Sequence, residues 1–355
     1  MVSNLIVCML ASCSGADPII PAIPGVAAMR IIGPEAPGDY KHPAAITELD
    51  NGDLYLAYYG GSGEYGVDTK VFGARRRPGG EEFSAPEVIA ETPFRSAGNP
   101  VVWQGPDGLV WLFYVVRYGE TWSESRIHAK ISKDGANTWS DSMLLAEELG
   151  MMVRNKPIVL RNGDYLLPIY HETGHDRENV GANTTSLFLR HNPKTREWTE
   201  SSRIRSRQGN LQPAPAQITD DYLICYCRRG GGYEPVTDGW LVRAESRDGG
   251  YTWSEGVDSE FPNPNSAVDL VHLRNGHLML IYNNSMNRRC PLSVAISMDG
   301  GETWPVKKDL FTGPGVYAYP YAFQGKDDKI YLIFTSDSRT VINLAVFDEE
   351  AILKE

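Results

Sequence analysis

Several residue types that handle anions and protons recur in this chain at places where strands would begin or end. Arg228-Arg229 follows the apolar run Leu223 to Cys227, and Arg288-Arg289 follows Asn283-Asn284. Paired arginines are commonly solvated surface, but at one mouth of a shared pocket they would grip a carboxylate in bidentate fashion. His171-Glu172-Thr173-Gly174-His175-Asp176 gathers imidazoles and carboxylates. It lacks the helical H-E-x-x-H spacing of a zinc site. Gly174 and the apolar run before it place the segment on a loop, so it reads as a pocket wall offering His171 or Glu172 for proton transfer. No metal site or cofactor is expected. Asp68 ends a loop that starts at Gly60, and Val316-Tyr317-Ala318-Tyr319 brings two phenols together.

The elements that would position these groups are repeats. His42 opens a strand–turn–strand phrase that recurs from Asn99, Asn155, Gln212, Ser266 and Tyr319, at steps of 53 to 57 residues. A second phrase, S-x-D-G-x-x-T-W, lies between those copies at Ser132–Trp139, Ser246–Trp253 and Ser297–Trp304. Worn versions run from Arg75 to Phe83 and from Arg190 to Trp198. Asp and Gly supply a tight turn, the Asp carboxylate accepting backbone N–H bonds and Gly tolerating positive φ. Apolar alternation before each copy reads as a strand, and the Trp is expected to fold back and seal its own unit. Six units of about four short strands each predict an all-β fold, a six-bladed β-propeller of four-stranded antiparallel blades.

Inner strands of a propeller begin at one mouth of its central channel. Their opening residues here are His42, Asn99, Asn155 with Lys156, Gln212, Asn265 with Ser266, and Tyr319. All are polar where a purely structural strand could be apolar, so a convergent ligand pocket is expected. Asn284 and the two arginine pairs would line the same mouth.

The 355 residues carry a formal net charge of −11, which argues against a nucleic-acid partner. It does not argue against an acidic small molecule, since a few pocket arginines can oppose the global sign. Leu5–Leu10 is a short apolar run, and Leu10-Ala11-Ser12-Cys13 matches a bacterial lipoprotein cleavage pattern. Residues 1–20 are therefore expected to be a signal segment. The protein would be periplasmic or on the outer membrane if Cys13 carries a lipid anchor, and otherwise secreted. Residues 21–37 read as an extended lead-in and 38–355 as the propeller. Cys225, Cys227 and Cys290 form neither a disulfide framework nor a zinc pattern and are expected to be buried.

With its Asp-turn motifs and six units, the chain resembles the sialidase superfamily, specifically bacterial sialidase-like proteins built on Asp-box (BNR) repeats. The resemblance spans residues from about 38 to 350. It implies an arginine trio for the substrate carboxylate, a Tyr nucleophile activated by a Glu, and an Asp acid/base. His42, ten before Gly52, holds the place of the first arginine, and Asp68 resembles the acid/base. Arg228 resembles the second arginine, and Arg288 or Arg289 the third. Gln212, sixteen before Arg228, stands where the Glu would be, and Tyr317 resembles the nucleophile. A neutral His has no guanidinium fork, and Gln212 accepts no proton from a phenol whose ordinary pKa is about 10.

Three functions remain open. The first is a sialidase-like glycoside hydrolase acting on an acidic or modified sugar, with Asp68 as acid and Tyr317, or a water activated by Glu172 or His171, attacking. The second is a polysaccharide lyase acting on uronates, with His42 as base, Tyr317 or Tyr319 as acid, and Arg228 with Arg288 neutralising the carboxylate. The third is a carbohydrate-binding module without catalysis. Each has an oligosaccharide or polysaccharide as its partner.

Overall fold

The structure is a computed structural model that describes residues 19–177 and 179–354. Residues 1–18 of the expected signal segment, Cys13 among them, lie outside the described residues. Six antiparallel sheets are arranged as blades of a propeller. Blade one runs Tyr40–Glu48, Leu54–Gly61, Lys70–Arg76 and Glu87–Ala90 from the axis outward. Blades two, four and five repeat that order from Ala97, Asn210 and Asp269. Blade three has a broken inner strand, Met151–Val153 and Ile158–Val159, both paired to Tyr165–His171. In blade six the three later strands of the chain are completed on the outside by Ala27–Ile32, which pairs with Val341–Phe347. The segment expected to be a lead-in thus contributes a strand that joins the two ends of the chain in one sheet. Among the described residues no helix is long and apolar enough to cross a membrane.

The three Asp-turn motifs share one hydrogen-bond pattern. Asp248 accepts the N–H groups of Tyr251 and Thr252 at 3.0 and 2.9 Å and the Thr252 hydroxyl at 2.6 Å. Ser246 Oγ donates to Asp248 at 2.9 Å and accepts the Gly250 N–H at 2.8 Å. Asp134 and Asp299 repeat the arrangement. The Trp does not seal its own unit as expected. Trp253 stacks on Phe188 of the preceding blade at 4.4 Å, and Trp304 meets Phe261 of the preceding blade edge-on at 5.4 Å. The turn thus aims the indole across the seam, where it buries apolar area that the two sheets could not cover alone. Cys225, Cys227 and Cys290 are free and buried.

The inner strands share a break in register. The ladder to the second strand skips residues 42–43, 99–100, 212–213 and 319–320. Each skipped pair is X-Pro: His42-Pro43, Asn99-Pro100, Gln212-Pro213 and Tyr319-Pro320. Proline has no N–H to lose from a ladder, so the bulge sacrifices little hydrogen bonding there. Asn99, Gln212, Asn265 and Tyr319 take left-handed φ of 46 to 55°, and the His42–Pro43 peptide is cis. Bulges of this kind re-aim a side chain, here toward the channel mouth.

Ser246→Ala leaves the buried Gly250 N–H without its acceptor. We expect a loss of about 1–3 kcal/mol, read as a lower urea midpoint at unchanged m-value. An unaltered midpoint would contradict the role assigned to this turn.

Candidate active site at the channel mouth

The opening residues His42, Asn99, Gln212 and Tyr319 line one cavity, as expected, together with Glu172, Arg228 and Tyr233. Loops after the second strands of blades one to four close its sides through Glu64 and Tyr65, Trp122, Glu172 with Arg177, and Tyr233. A wider hollow of about 650 Å³ lies elsewhere, lined by the far ends of the inner strands from Ile158 to Gln324. Its two arginines are engaged by Asp220 and Asp328, and no comparable set of proton-handling groups converges there.

Tyr319 is at the centre of the mouth. Its hydroxyl accepts from Arg228 Nη1 at 2.8 Å and from Gln212 Nε2 at 3.4 Å. The guanidinium carbons of Arg154, Arg228 and Arg289 lie 5.4 to 5.9 Å from its ring centroid. Burial raises the phenol pKa, but the charges of Arg228 and Arg289 outweigh it and hold Tyr319 below the usual tyrosine value. Arg228 is fixed on four sides: its Nε donates to Asn265 Oδ1 at 2.6 Å, and its other nitrogens reach Gln212, Tyr319 and Tyr233. Arg289 donates to the Asn265 carbonyl at 3.1 Å, and its buried Nη1 has no hydrogen-bond partner among the described residues.

Glu172 responds in the opposite sense. It lies just past the strand Tyr165–His171, on the wall facing Arg228. The residue is only half-buried overall, yet burial is the leading cause that pushes its carboxyl up to about 7, against the opposing charge of Arg228. His42 is buried against Tyr319, ring centroids 4.0 Å apart and nearly perpendicular. Burial and the surrounding arginines hold its pKa well below the usual histidine value, so the imidazole is neutral.

Other candidates fall outside the mouth. Tyr317 packs among Phe311 and Phe334 in an apolar cluster, and burial raises its phenol pKa. It does not line the mouth, where Tyr319 stands instead. Alternation by two would put both tyrosines on one face, but the bulge at Tyr319 breaks the alternation. Asp68 is exposed and turns to its own loop, accepting the Ser62 hydroxyl at 2.7 Å and N–H at 3.0 Å. Those bonds lower its pKa and favour the ionised form, and it does not line the cavity. His171 bonds the Leu149 carbonyl at 3.0 Å and faces Glu148 at 3.3 Å, away from the cavity. Arg288 and Asn284 are exposed beside it and do not line it. Asn155 and Lys156 act below the mouth. Asn155 Nδ2 donates to the carbonyls of Gln212, Pro213 and Val268, and Lys156 pairs with Asp269 at 2.8 Å. They pin inner strands together across the axis and do not form a wall of the cavity.

Glu64, Tyr40, Arg154, Tyr170 and Arg339 were not anticipated. Glu64 accepts from Tyr40 at 2.6 Å, Trp122 Nε1 at 3.2 Å and Arg339 at 2.8 Å. Arg339 ends a turn in which Asp337, Ser338 and Arg339 all have positive φ, a strained presentation of the kind found at functional sites. The X-Pro pairs were a usable signal for the opening residues and would have preferred Tyr319 to Tyr317. Nothing in the sequence around Arg339 marks it. Among the described residues no three His, Cys, Asp or Glu side chains gather as metal ligands.

A family model described as a BNR repeat-like domain matches residues 52–332. No curated protein matches the chain by sequence. Among solved structures, a Hadza microbial sialidase superposes with TM-score 0.73 at 16% identity, over 89% of this chain and 67% of that one. A protein of unknown function from Dyadobacter fermentans gives TM-score 0.73 at 15% identity, over 92% of this chain and all of its own. The intramolecular trans-sialidase from Ruminococcus gnavus, in complex with oseltamivir carboxylate, gives 0.70 at 13%, over 92% and 98%. These likenesses establish a sialidase-like fold.

A Glu172 pKa above that of the unfolded chain means the folded state holds the proton more tightly. Its contribution favours folding at acid pH and is lost as pH rises from the ordinary carboxylate range through about 7. Glu172→Gln should therefore raise the melting temperature at pH about 8 and change it little at pH about 5. Equal shifts at both would contradict the buried acid.

Proposed function

The chain belongs to the BNR repeat-like family, and from that we propose that it is a glycoside hydrolase that cleaves an acidic sugar from a glycan. The observation that carries this reading is a pair of titratable groups displaced in opposite directions across Arg228: Tyr319 downward, Glu172 upward. Such divergence favours the ionised form of one group and the protonated form of the other in the same site. Arg289, with its unpartnered Nη1, and Arg228 supply the cationic wall for the sugar carboxylate.

In this mechanism Glu172 gives its proton to the glycosidic oxygen as the bond from that oxygen to the anomeric carbon breaks. The Tyr319 phenolate, stabilised by Arg228 and Gln212, forms the new bond to that carbon. Water then attacks the same carbon, loses a proton to the Glu172 carboxylate, and releases the tyrosine. The charge that a neighbouring Glu would induce in the phenol by taking its proton is here favoured by the arginines. The sialidases among the structures that share this fold support a glycosidase as the kind of enzyme.

A second reading, β-elimination from a uronate, is favoured by one feature: His42 Nε2 is buried and unpartnered beside Tyr319. Product masses separate the two. Hydrolysis adds one water across the cleaved bond, and elimination leaves an unsaturated sugar without it.

Tyr319→Phe and Glu172→Gln are each expected to lower kcat on an acidic glycoside by about 10²–10⁴-fold, with Tyr317→Phe near wild type. In the wild type, kcat/KM should fall as pH rises through about 7, where Glu172 loses its proton. Glu172→Gln should lose that limb. Wild-type turnover by Tyr319→Phe would sink the mechanism.

A further inference from the structure

His42 has two ring nitrogens in different circumstances. Nδ1 lies 2.8 Å from Thr335 Oγ1, and Nε2 is buried without a partner among the described residues. The Thr335 hydroxyl has one proton, and it donates that proton to the Ala318 carbonyl at 3.2 Å. Its oxygen is then an acceptor for His42, so the ring proton sits on Nδ1. Nε2 carries a lone pair. The opposite tautomer would aim a buried N–H, with no acceptor, into a region dominated by Arg339, Arg289, Arg154 and Arg228. A lone pair is the better tenant of that positive field.

Among the groups near it, the Arg228 and Arg289 guanidiniums and the Gln212 amide are donors, and the acceptor Glu64 is already engaged by Tyr40, Trp122 and Arg339. An acceptor among donors has a definite use. We infer that His42 is a specificity-determining residue, held by the positioning residue Thr335 as the Nδ1–H tautomer so that Nε2 accepts a hydrogen bond from a neutral donor of the sugar, a hydroxyl or an amide N–H. The ligand half of this inference rests on the reading of the site as one for an acidic sugar, and the tautomer half does not. The sugar is then read at two places: its carboxylate by arginines, and a neutral donor group by an imidazole standing where the resemblance puts the first arginine of the trio. A binding site built on a buried acceptor rejects a ligand lacking the matching donor, because Nε2 would remain unpaired on binding.

The test begins with the full chain labelled with ¹⁵N in histidine, followed by long-range ¹H–¹⁵N correlation, with His42 assigned from the spectrum of His42→Gln. An unprotonated Nε2 and a protonated Nδ1 are expected. Thr335→Ser should keep this state, and Thr335→Val, which removes the acceptor, should give a mixture of tautomers at an unfolding midpoint that confirms the fold. A protonated Nε2 in the wild type, or an unchanged tautomer in Thr335→Val, overturns the inference. Free N-acetylneuraminate titrated into the labelled wild type should move the Nε2 resonance, and kcat/KM on a sialoside should fall about tenfold in Thr335→Val, chiefly through KM, with recovery in Thr335→Ser. Sugar binding that leaves Nε2 unmoved overturns the acceptor role. If neither N-acetylneuraminate nor glucuronate binds, the acidic-sugar reading fails and takes the ligand half with it, while the spectrum of the free protein still decides the tautomer.

Discussion

The site depends on a backbone device repeated around the axis: a bulge at the start of the inner strands that turns one polar side chain toward the channel mouth. Left-handed φ at a non-glycine residue costs on the order of 1–3 kcal/mol, so four such residues in one ring require support from elsewhere. That support comes from the sheets outside and the axis beneath. Asn155 and the Lys156–Asp269 pair tie the third inner strand to the fourth and fifth, and Arg154 reaches the Pro320 carbonyl of the sixth at 2.6 Å. These contacts leave the openers little freedom to relax into a regular ladder, which would swing their side chains away from the mouth.

Around that frame the electrostatics are local and opposed to the whole. A chain with net charge −11 gathers Arg154, Arg228, Arg289 and Arg339 around one phenol. Burying cations is expensive unless they are hydrogen-bonded. Asn265, Gln212, Tyr233 and the Asn265 carbonyl satisfy Arg228 and part of Arg289, and Glu64 with Tyr40 satisfies Arg339. What remains unspent is the field itself, which lowers the Tyr319 pKa. It opposes the rise that burial imposes on Glu172 without cancelling it. The arginines therefore set the direction of the Tyr319 shift, and burial sets that of Glu172.

Two departures from the sialidase pattern take on physical meaning in this arrangement. Gln212 donates to the Tyr319 oxygen instead of accepting its proton, which suits a phenol whose negative charge is already favoured by arginine. By the resemblance, His42 stands in the place of an arginine as a neutral ring, and its buried Nε2 has no partner among the described residues. In the proposed reading the mouth keeps a charged grip on an anion and adds a neutral contact beside it, a different balance from three converging guanidiniums.

Much of this was legible in the chain. The six-unit repeat, the polar strand openers and the Asp-turn motifs follow from local patterns, because turns and strand alternation are set by neighbours in sequence; Arg228, Gln212 and Glu172 were candidates on the resemblance and on loop position. The X-Pro pairs were equally local and marked Tyr319, though the spacing to the family's nucleophile pointed to Tyr317. Other features were decided only in three dimensions. Asp68 was at a plausible distance along the chain, but its loop folds so that Ser62 captures it. Glu64 and Arg339 are 275 residues apart and meet only because the first blade packs beside the last when the ring closes. Whether a carboxyl holds its proton at neutral pH, and which nitrogen of an imidazole is free, are properties of desolvation and of charges brought in from other blades. Sequence order carries the local turn and strand code. The chemistry of the mouth depends on distances between segments that only closure of the propeller makes short.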